Sequence, residues 1–205
     1  MIRNTRWLAF ALATASLPSF AAGNADAGRV KANTCMGCHG IPNYNNVYPT
    51  YRVPKLGGQS EGLIVSALKA YKSGERVHKT MRAQTANLSD QDMADIAAYL
   101  AHASPHPGGK SGEGANSELE KAAACIACHG PNGAKPTLPD AAVLAGQYNN
   151  YLKQALHDYQ SGARKNAVMA AQVKSLSKTD IQELAKYFSA QESPLYTPSV
   201  ATAKK

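Results

Sequence analysis

The chain has 205 residues, of which 22 are Lys or Arg and 14 are Asp or Glu, giving a formal net charge of +8 at pH 7. The basic residues are scattered among acidic ones and form no continuous stripe, which argues against a nucleic-acid-binding protein. Beyond the N-terminal segment no apolar run approaches the roughly 20 residues needed to cross a bilayer, so the sequence predicts no membrane-spanning helix there.

The first 21 residues have the pattern of a secretory signal peptide. Arg3 and Arg6 precede an apolar stretch over residues 7–17, and Ser19-Phe20-Ala21 forms a small-x-small cleavage site. The apolar stretch is too short to span a bilayer, which requires roughly 20 residues. We therefore expect cleavage after Ala21 or Ala22 and a soluble mature protein in the periplasm.

Two five-residue motifs, 90 positions apart, contain all four cysteines of the chain. They are Cys35-Met36-Gly37-Cys38-His39 and Cys125-Ile126-Ala127-Cys128-His129. In a C-x-x-C-H motif the two thiols lie about one helical turn apart, so both can bond to one haem while the following imidazole reaches its iron. The sequence therefore predicts a dihaem c-type cytochrome. Its covalent attachment points are Cys35, Cys38, Cys125 and Cys128, and its proximal iron ligands are His39 and His129.

Two other interpretations of these cysteines explain less of the pattern. A zinc site would not require His directly after the second Cys of both motifs, and its ligands rarely stand so far apart. A redox disulfide of the thioredoxin kind belongs to a strand-helix context, and no strand pattern leads into either motif. Haem attachment accounts for both the spacing and the histidines.

Downstream of the haem motifs the chain repeats itself at an offset of 88 residues. Residues 56–59, Leu-Gly-Gly-Gln, match residues 144–147, Leu-Ala-Gly-Gln, and Tyr71 matches Tyr159. A repeat of this length indicates two similar domains of roughly 85–90 residues, each so small that a buried porphyrin would form much of its interior.

Each repeat is predicted to be helical, since no alternating run long enough for a sheet appears. Ser60 is the predicted N-cap of a helix over residues 63–73, and Asn149 that of the matching helix. Gly74 and Gly162 are suited to end these helices. The last helix of each repeat is expected to begin at a Ser with an acid three positions later, at Ser89 and at Ser177.

The repeat also selects a second ligand for each iron. Met81 and Met169 match at the 88-residue offset, whereas Met93 corresponds to Ile181 and is expected to lie in the core. Both matched methionines lie in the predicted loop between the middle and last helices. A thioether ligand raises the reduction potential and closes the iron to other ligands. His78 is an alternative ligand to Met81, but its counterpart is Asn166.

Pro and Gly interrupt the helical pattern between the repeats and near the C-terminus. The predicted organisation is a signal peptide over 1–21, an N-terminal cytochrome c domain over 22–104, a linker over 105–112, a C-terminal cytochrome c domain over 113–192, and a tail over 193–205. The tail is expected to be loosely ordered.

Together these features resemble the dihaem cytochrome c4 family. The resemblance rests on both C-x-x-C-H motifs, on residues 54–59, Pro-Lys-Leu-Gly-Gly-Gln, and on residues 88–99 after the ligand-type methionine, and it covers nearly the whole mature chain. It implies an all-α protein of two tandem cytochrome c-like domains related by a pseudo-twofold axis, each wrapped around one covalently attached haem. It also implies iron ligation by His39 with Met81 and by His129 with Met169.

The resemblance further implies periplasmic electron delivery towards a terminal oxidase. The expected partners are redox proteins such as that oxidase or an upstream quinol-oxidising complex, and peripheral membrane contact through such partners stays open. Two alternatives remain open. The chain could be the cytochrome subunit of a larger dehydrogenase, or a dihaem enzyme with an open iron site. No catalytic Ser, His and acid constellation stands out, so the expectation is a carrier and not an enzyme.

The second half departs from the family pattern. Residues 142–145, Ala-Val-Leu-Ala, replace the Pro-Lys-Leu-Gly of residues 54–57. Because hydrogen bonding and burial around a haem change its potential, we expect two unequal midpoint potentials.

Overall fold

The computed structural model describes residues 22–47, 50–107 and 119–199. The predicted signal peptide, most of the predicted linker and residues 200–205 lie outside these ranges. Within them the chain is helical, and its β-structure consists of isolated bridges. No helix of this part of the chain is both long and apolar enough to pass through a membrane.

The helices of the two halves correspond one to one after the first. The first half contains α1 (Ala25–Lys31), α2 (Asn33–His39), α3 (Glu61–Ser73), α4 (Lys79–Thr85) and α5 (Asp90–His102). The second half contains α6 (Ala123–His129), α7 (Asn149–Ser161), α8 (Ala167–Val173) and α9 (Lys178–Ala190), with short 3-10 turns at Glu120–Ala122 and Pro131–Gly133. The all-α prediction is confirmed.

Most of the predicted helix boundaries are confirmed by the capping contacts. The Ser60 hydroxyl accepts a hydrogen bond from the Leu63 N–H at 3.1 Å. Ser89 and Ser177 each form a capping box with the aspartate three residues on, at the starts of α5 and α9. Gly74 and Gly162 end α3 and α7 with φ values of 83° and 76°, a left-handed conformation in which side chains other than glycine are strained.

The prediction that Asn149 caps α7 is wrong. Asn149 is the first residue of that helix, and the preceding Tyr148 makes no side-chain cap. Tyr148 occupies the position equivalent to Ser60, and its hydroxyl instead accepts a hydrogen bond from the Asn43 N–H at 2.9 Å. At this position a contact between the halves has replaced a helix cap.

Each half has its own apolar core, formed where its last helix crosses its other helices. Helix α5 packs against α1 and α3, and α9 packs against α7. Met93 and Leu100 of α5 are fully buried, as are Ile181 and Leu184 of α9. Met93 is thus a core residue, as its equivalence to Ile181 predicts.

The halves meet at an antiparallel bridge between Arg76 and Arg164. The Val77 N–H donates to the Ala163 carbonyl at 2.7 Å, and the Lys165 N–H donates to the Glu75 carbonyl at 2.8 Å. Val77 is equivalent to Lys165 at the 88-residue offset, and Glu75 to Ala163, so each bond is the counterpart of the other. The halves are therefore related by an approximate two-fold axis that passes through this bridge.

Residues 193–199 return from the second half to the first, in contrast to the loosely ordered tail that the composition suggests. The Tyr196 N–H donates to the Gly57 carbonyl at 3.0 Å, and the Ser199 N–H donates to the Ser104 carbonyl at 2.8 Å. Leu195 is only 1% exposed because it packs in an apolar cluster with Val143 and Ala145 of the second half. This segment straps the two halves together.

Candidate haem-binding site

All eight predicted site residues line one cavity of about 430 Å³ that extends through both halves. The first set comprises Cys35, Cys38, His39 and Met81, and the second comprises Cys125, Cys128, His129 and Met169. Both C-x-x-C-H motifs form the C-terminal turns of short helices, α2 and α6, which end at their histidines. One helical turn therefore presents each pair of thiols to the same space.

None of the four cysteines is paired in a disulfide. Burial raises the pKa of the Cys35 and Cys125 thiols, which favours the protonated form. No disulfide competes for these sulfur atoms. They are available for thioether bonds on both sides of the approximate two-fold axis.

Each motif histidine is buried and held by a backbone carbonyl. His39 Nδ1 lies 3.0 Å from the Pro54 carbonyl oxygen, and His129 Nδ1 lies 2.7 Å from that of Ala142. A carbonyl can only accept, so Nδ1 carries the proton and Nε2 keeps a lone pair for a metal. Burial lowers the pKa of His39 to about 4 and lowers that of His129 as well. Both rings are therefore neutral, the form that binds iron.

The two matched methionines lie in helices and not in the predicted loops. Met81 is the third residue of α4, and Met169 is the third residue of α8. The Met81 N–H donates to His78 Nδ1 at 3.2 Å, and the Met169 N–H donates to the Asn166 side-chain oxygen at 2.9 Å. His78 and Asn166 are therefore equivalent N-caps, which explains why an imidazole and an amide occupy matching positions.

Arg76 and Arg164, which the motif analysis does not select, also line the cavity. Arg76 is only 9% exposed, and in the described part of the chain neither arginine forms an ion pair with a carboxylate. A buried cation without a counter-ion is costly and indicates an anionic partner in the cavity. Their match at the 88-residue offset, each two residues after Gly74 or Gly162, is the sequence signal that could have identified them.

This donor set fits two haem c groups. Each half supplies two free thiols, a neutral imidazole with an open Nε2, a thioether, and an arginine that can pair with a haem carboxylate. Two other histidines, His102 and His157, do not line the cavity. His102 and His157 are exposed, and His102 contacts Glu61 at 3.1 Å.

Comparison with known proteins identifies the family of the chain. The cytochrome c family model matches residues 25–104 and 117–191. Cytochrome c4 of Pseudomonas aeruginosa is 35% identical over 187 residues, which cover 82% of this chain and 88% of that protein. A protein of Stutzerimonas stutzeri named thiosulfate dehydrogenase electron acceptor is 31% identical over 175 residues, covering 77% of this chain and 78% of that protein.

The fold is also shared with a solved structure. The crystal structure of reduced recombinant cytochrome c4 from Pseudomonas stutzeri matches with a TM-score of 0.65 at 28% sequence identity, over 83% of this chain and 100% of that chain. Two cytochrome c domains, each with its own C-x-x-C-H motif, carry two covalently bound haem c groups, and the chain belongs to the dihaem cytochrome c4 family.

Proposed function

We propose that this chain is a periplasmic electron carrier between redox proteins and catalyses no reaction of its own. The family to which it belongs supports the carrier role. The observation that carries the proposal is that two equivalent sets of four residues line one continuous cavity. When bound, haem c supplies reversible one-electron chemistry at its iron. The protein's residues determine how each haem is attached, which side chains ligate its iron and so exclude other ligands, and what charge surrounds it.

The four cysteines attach the haems, and His39 and His129 present Nε2 as the proximal ligand of each iron. Met81 and Met169 provide the second protein ligand, which favours the reduced iron and leaves no position for a substrate. The capping contact of His78 favours Met81 over His78 as the iron ligand. Because His78 Nδ1 accepts an N–H, the proton of the neutral ring lies on Nε2, and that nitrogen then has no lone pair for a metal.

Arg76 and Arg164, which lie at the junction of the halves, would neutralise the negative charge of the haem carboxylates. Both guanidiniums line the cavity, and the bridge between the two residues brings their backbones together. Compensating buried negative charge with buried positive charge lowers the cost of enclosing both. The positive charge of the two arginines also favours the reduced iron, since positive charge near a haem raises its reduction potential.

Replacing each candidate methionine by leucine tests the ligand assignment. The three variants are Met81→Leu, Met169→Leu and, as the matched control in the core, Met93→Leu; this exchange nearly conserves volume. We expect each ligand variant to lose half of the methionine-to-ferric-iron charge-transfer band and to bind carbon monoxide at one of its two haems. Met93→Leu should do neither.

The unaltered holoprotein distinguishes a carrier from an enzyme. Two haems per chain and no spectral change under carbon monoxide would support two closed sites. A carbon monoxide shift in half or all of the haem would favour the enzyme alternative. If Met81→Leu kept the full charge-transfer band, the assignment of Met81 would be wrong and His78 would become the candidate.

The proposed partners are a terminal oxidase as acceptor and a quinol-oxidising complex as donor. The second candidate role is to accept electrons from a dehydrogenase. The similarity to the thiosulfate dehydrogenase electron acceptor favours this role. Purification from native periplasm and membranes separates the two. Stable copurification with a dehydrogenase would favour the second role, whereas a free chain whose reduced form supports oxygen uptake by isolated membranes would favour the first.

A further inference from the structure

Each of the two cavity arginines lies over a tyrosine ring of its own half. The Arg76 guanidinium is 4.5 Å from the centroid of the Tyr71 ring, and the Arg164 guanidinium is 4.6 Å from that of the Tyr159 ring. Tyr71 and Tyr159 match at the 88-residue offset, and both line the cavity. A guanidinium within about 6 Å of a ring centroid is attracted by the negative face of the ring. The same cation–π contact therefore occurs at both sites.

The attraction comes from the rings and not from ionised hydroxyls. Burial raises the pKa of the Tyr71 and Tyr159 hydroxyls, although the arginine charge over each ring acts in the opposite direction. Both phenols therefore stay protonated, and neither is the counter-ion of its arginine. Tyr71 is itself buried, and a cation–π contact is stronger there than at an exposed site. Each ring thus leaves the positive charge of its arginine available to an anion in the cavity.

A third tyrosine holds one edge of both guanidiniums. The Tyr151 hydroxyl accepts a hydrogen bond of 2.6 Å from Arg76 and also hydrogen-bonds Arg164. A guanidinium is planar, with five N–H donors in a fixed fork. The ring covers one face of each guanidinium, the Tyr151 hydroxyl takes one of its donors, and the other donors remain for the cavity that both arginines line. A guanidinium held on one face and one edge can still bond both oxygens of a carboxylate.

Each arginine acts on the iron site of its own half. Besides burial, the charge of Arg76 lowers the pKa of His39, and the charge of Arg164 lowers that of His129. Positive charge near a haem raises its reduction potential, and it lowers the pKa of a nearby carboxyl group. The position of each guanidinium therefore affects two measurable properties of its own site, the midpoint potential and the pH interval in which a haem carboxylate takes up a proton.

We propose that Tyr71 and Tyr159 are positioning residues for the haem carboxylates, each holding the arginine of its own half so that the free N–H groups bind a carboxylate of that half's haem. This rests on the proposed function, since it takes Arg76 and Arg164 to pair with haem carboxylates. Because Tyr151 bonds both arginines, the two rings are the contacts that belong to one site each. The ring face is required for this role, and the hydroxyl is not.

The test removes either the whole ring or its hydroxyl alone and follows both midpoint potentials of the holoprotein against pH. In Tyr71→Leu and in Tyr159→Leu we expect the midpoint of one site to fall, and a different site should respond in each variant. The pH interval in which that midpoint depends on pH should move upwards, because a carboxyl group that loses an arginine has a higher pKa. Tyr71→Phe and Tyr159→Phe keep the ring face and should match the unaltered protein.

Two further sets of variants show which contact is responsible. Arg76→Gln and Arg164→Gln remove the cation itself and should change the same site at least as much as the corresponding leucine variant. Tyr187→Leu is the matched control, because the Tyr187 ring packs edge-on against Phe188 at 5.0 Å and does not line the cavity. It should leave both midpoints in place at every pH.

Each variant must first show two haems per chain and the full charge-transfer band without carbon monoxide binding. If the arginine variants shift and the leucine variants do not, the inference is overturned while the proposed function stands. Equal changes in the phenylalanine and leucine variants would also overturn it, since the hydroxyl and not the ring would then be responsible. Unchanged midpoints in the arginine variants would contradict the pairing of arginine with carboxylate, and the inference would fall with that part of the proposed function.

The second half provides an independent test if Tyr71→Leu does not fold. The Tyr71 ring also packs edge-on against His78, with centroids 6.2 Å apart, so its loss removes a second contact. Asn166 has no ring at the position equivalent to His78. A fall in one midpoint of Tyr159→Leu, absent from Tyr159→Phe, would support the inference by itself, and no change there would overturn it.

Discussion

Gln59 and Gln147 clasp opposite halves of the molecule with the same pair of hydrogen bonds. The Gln59 side chain accepts from the Val143 N–H and donates to the Val143 carbonyl, both at 2.9 Å. The Gln147 side chain accepts from the Lys55 N–H at 3.1 Å and donates to the Lys55 carbonyl at 3.0 Å. The two pairs are equivalent at the 88-residue offset. One side-chain amide from each half therefore bonds both the N–H and the carbonyl of one residue in the other half.

Loss of either glutamine should weaken the contact between the halves. Gln59→Leu or Gln147→Leu leaves a buried N–H and a buried carbonyl without a partner, and each such group costs about 1–3 kcal/mol. We expect denaturant-induced unfolding, followed by the spectra of the haems and by circular dichroism, to shift to lower denaturant in both variants. The transitions reported by the two signals should also separate as the halves uncouple.

Gln154→Leu is the matched control for the glutamine clasp. Its side chain bonds Asp158 within α7 at 2.7 Å, so its loss removes one contact inside a single half. Helical pairs of this spacing contribute about 0.2–0.5 kcal/mol. If the Gln59 and Gln147 variants lost no more stability than Gln154→Leu, the clasp would not be what holds the halves together.

Gly57 is required by the strap formed by residues 193–199. A Cβ at position 57 would lie 2.1 Å from the Tyr196 ring, whereas the equivalent position in the second half is Ala145. We expect Gly57→Ala to lose about 1–3 kcal/mol of unfolding free energy, the usual cost of overpacking. The measurement is equilibrium unfolding of Gly57→Ala, Tyr196→Ala and the double variant. The alanine at position 57 should cost much less when Tyr196 is already absent, and strictly additive losses would contradict this contact.

A feature of the fold can be predicted from the sequence when the residues that cause it are neighbours in the chain. The caps Ser60, Ser89 and Ser177 are predictable because a cap involves neighbours three residues away. The strap is not, since nothing near Tyr196 in the chain indicates that it lies against Gly57, 139 positions earlier. The failure at Asn149 has the same origin, because a distant contact with Asn43 determines what Tyr148 does.

The candidate site shows the same division. Both C-x-x-C-H motifs and the Met81 and Met169 pair follow from spacing and from the repeat, and the structure places all of them on one cavity. The carbonyls of Pro54 and Ala142 could not be predicted, because every residue has a carbonyl and only the fold determines which one meets an imidazole.

Acid should destabilise the first half through Asp95. This nearly buried carboxylate accepts from the Asn24 N–H at 2.8 Å and from the Lys31 ammonium at 2.5 Å. The Asn24 N–H, followed by Lys31 and Gln91, lowers the pKa of Asp95 to about 2. A carboxyl group with a lowered pKa stabilises the folded state fully above its ordinary pKa near 4, and this contribution is lost as the pH falls from about 4 to about 2.

We expect the unfolding free energy to decline over that pH interval and Asp95→Asn to show a shallower decline. Chemical denaturation at a series of pH values, in the chain and in Asp95→Asn, measures the difference. Asp90→Asn is the control, since Asp90 pairs with Lys69 at an exposed site. Parallel pH dependence in all three proteins would show that Asp95 does not couple folding to protonation.

His78 should be replaceable by asparagine without a change at the first iron. Asn166 performs the same capping role at α8 that His78 performs at α4, so His78→Asn keeps an acceptor for the Met81 N–H. His78→Ala removes it, and loss of a cap costs about 0.5–2 kcal/mol. We expect the asparagine variant to retain stability and the full methionine-to-iron band, and the alanine variant to lose stability but keep the band. Disappearance of half of the band in both variants, with carbon monoxide binding, would instead identify His78 as the ligand of the first iron and contradict the equivalence of the two capped helices.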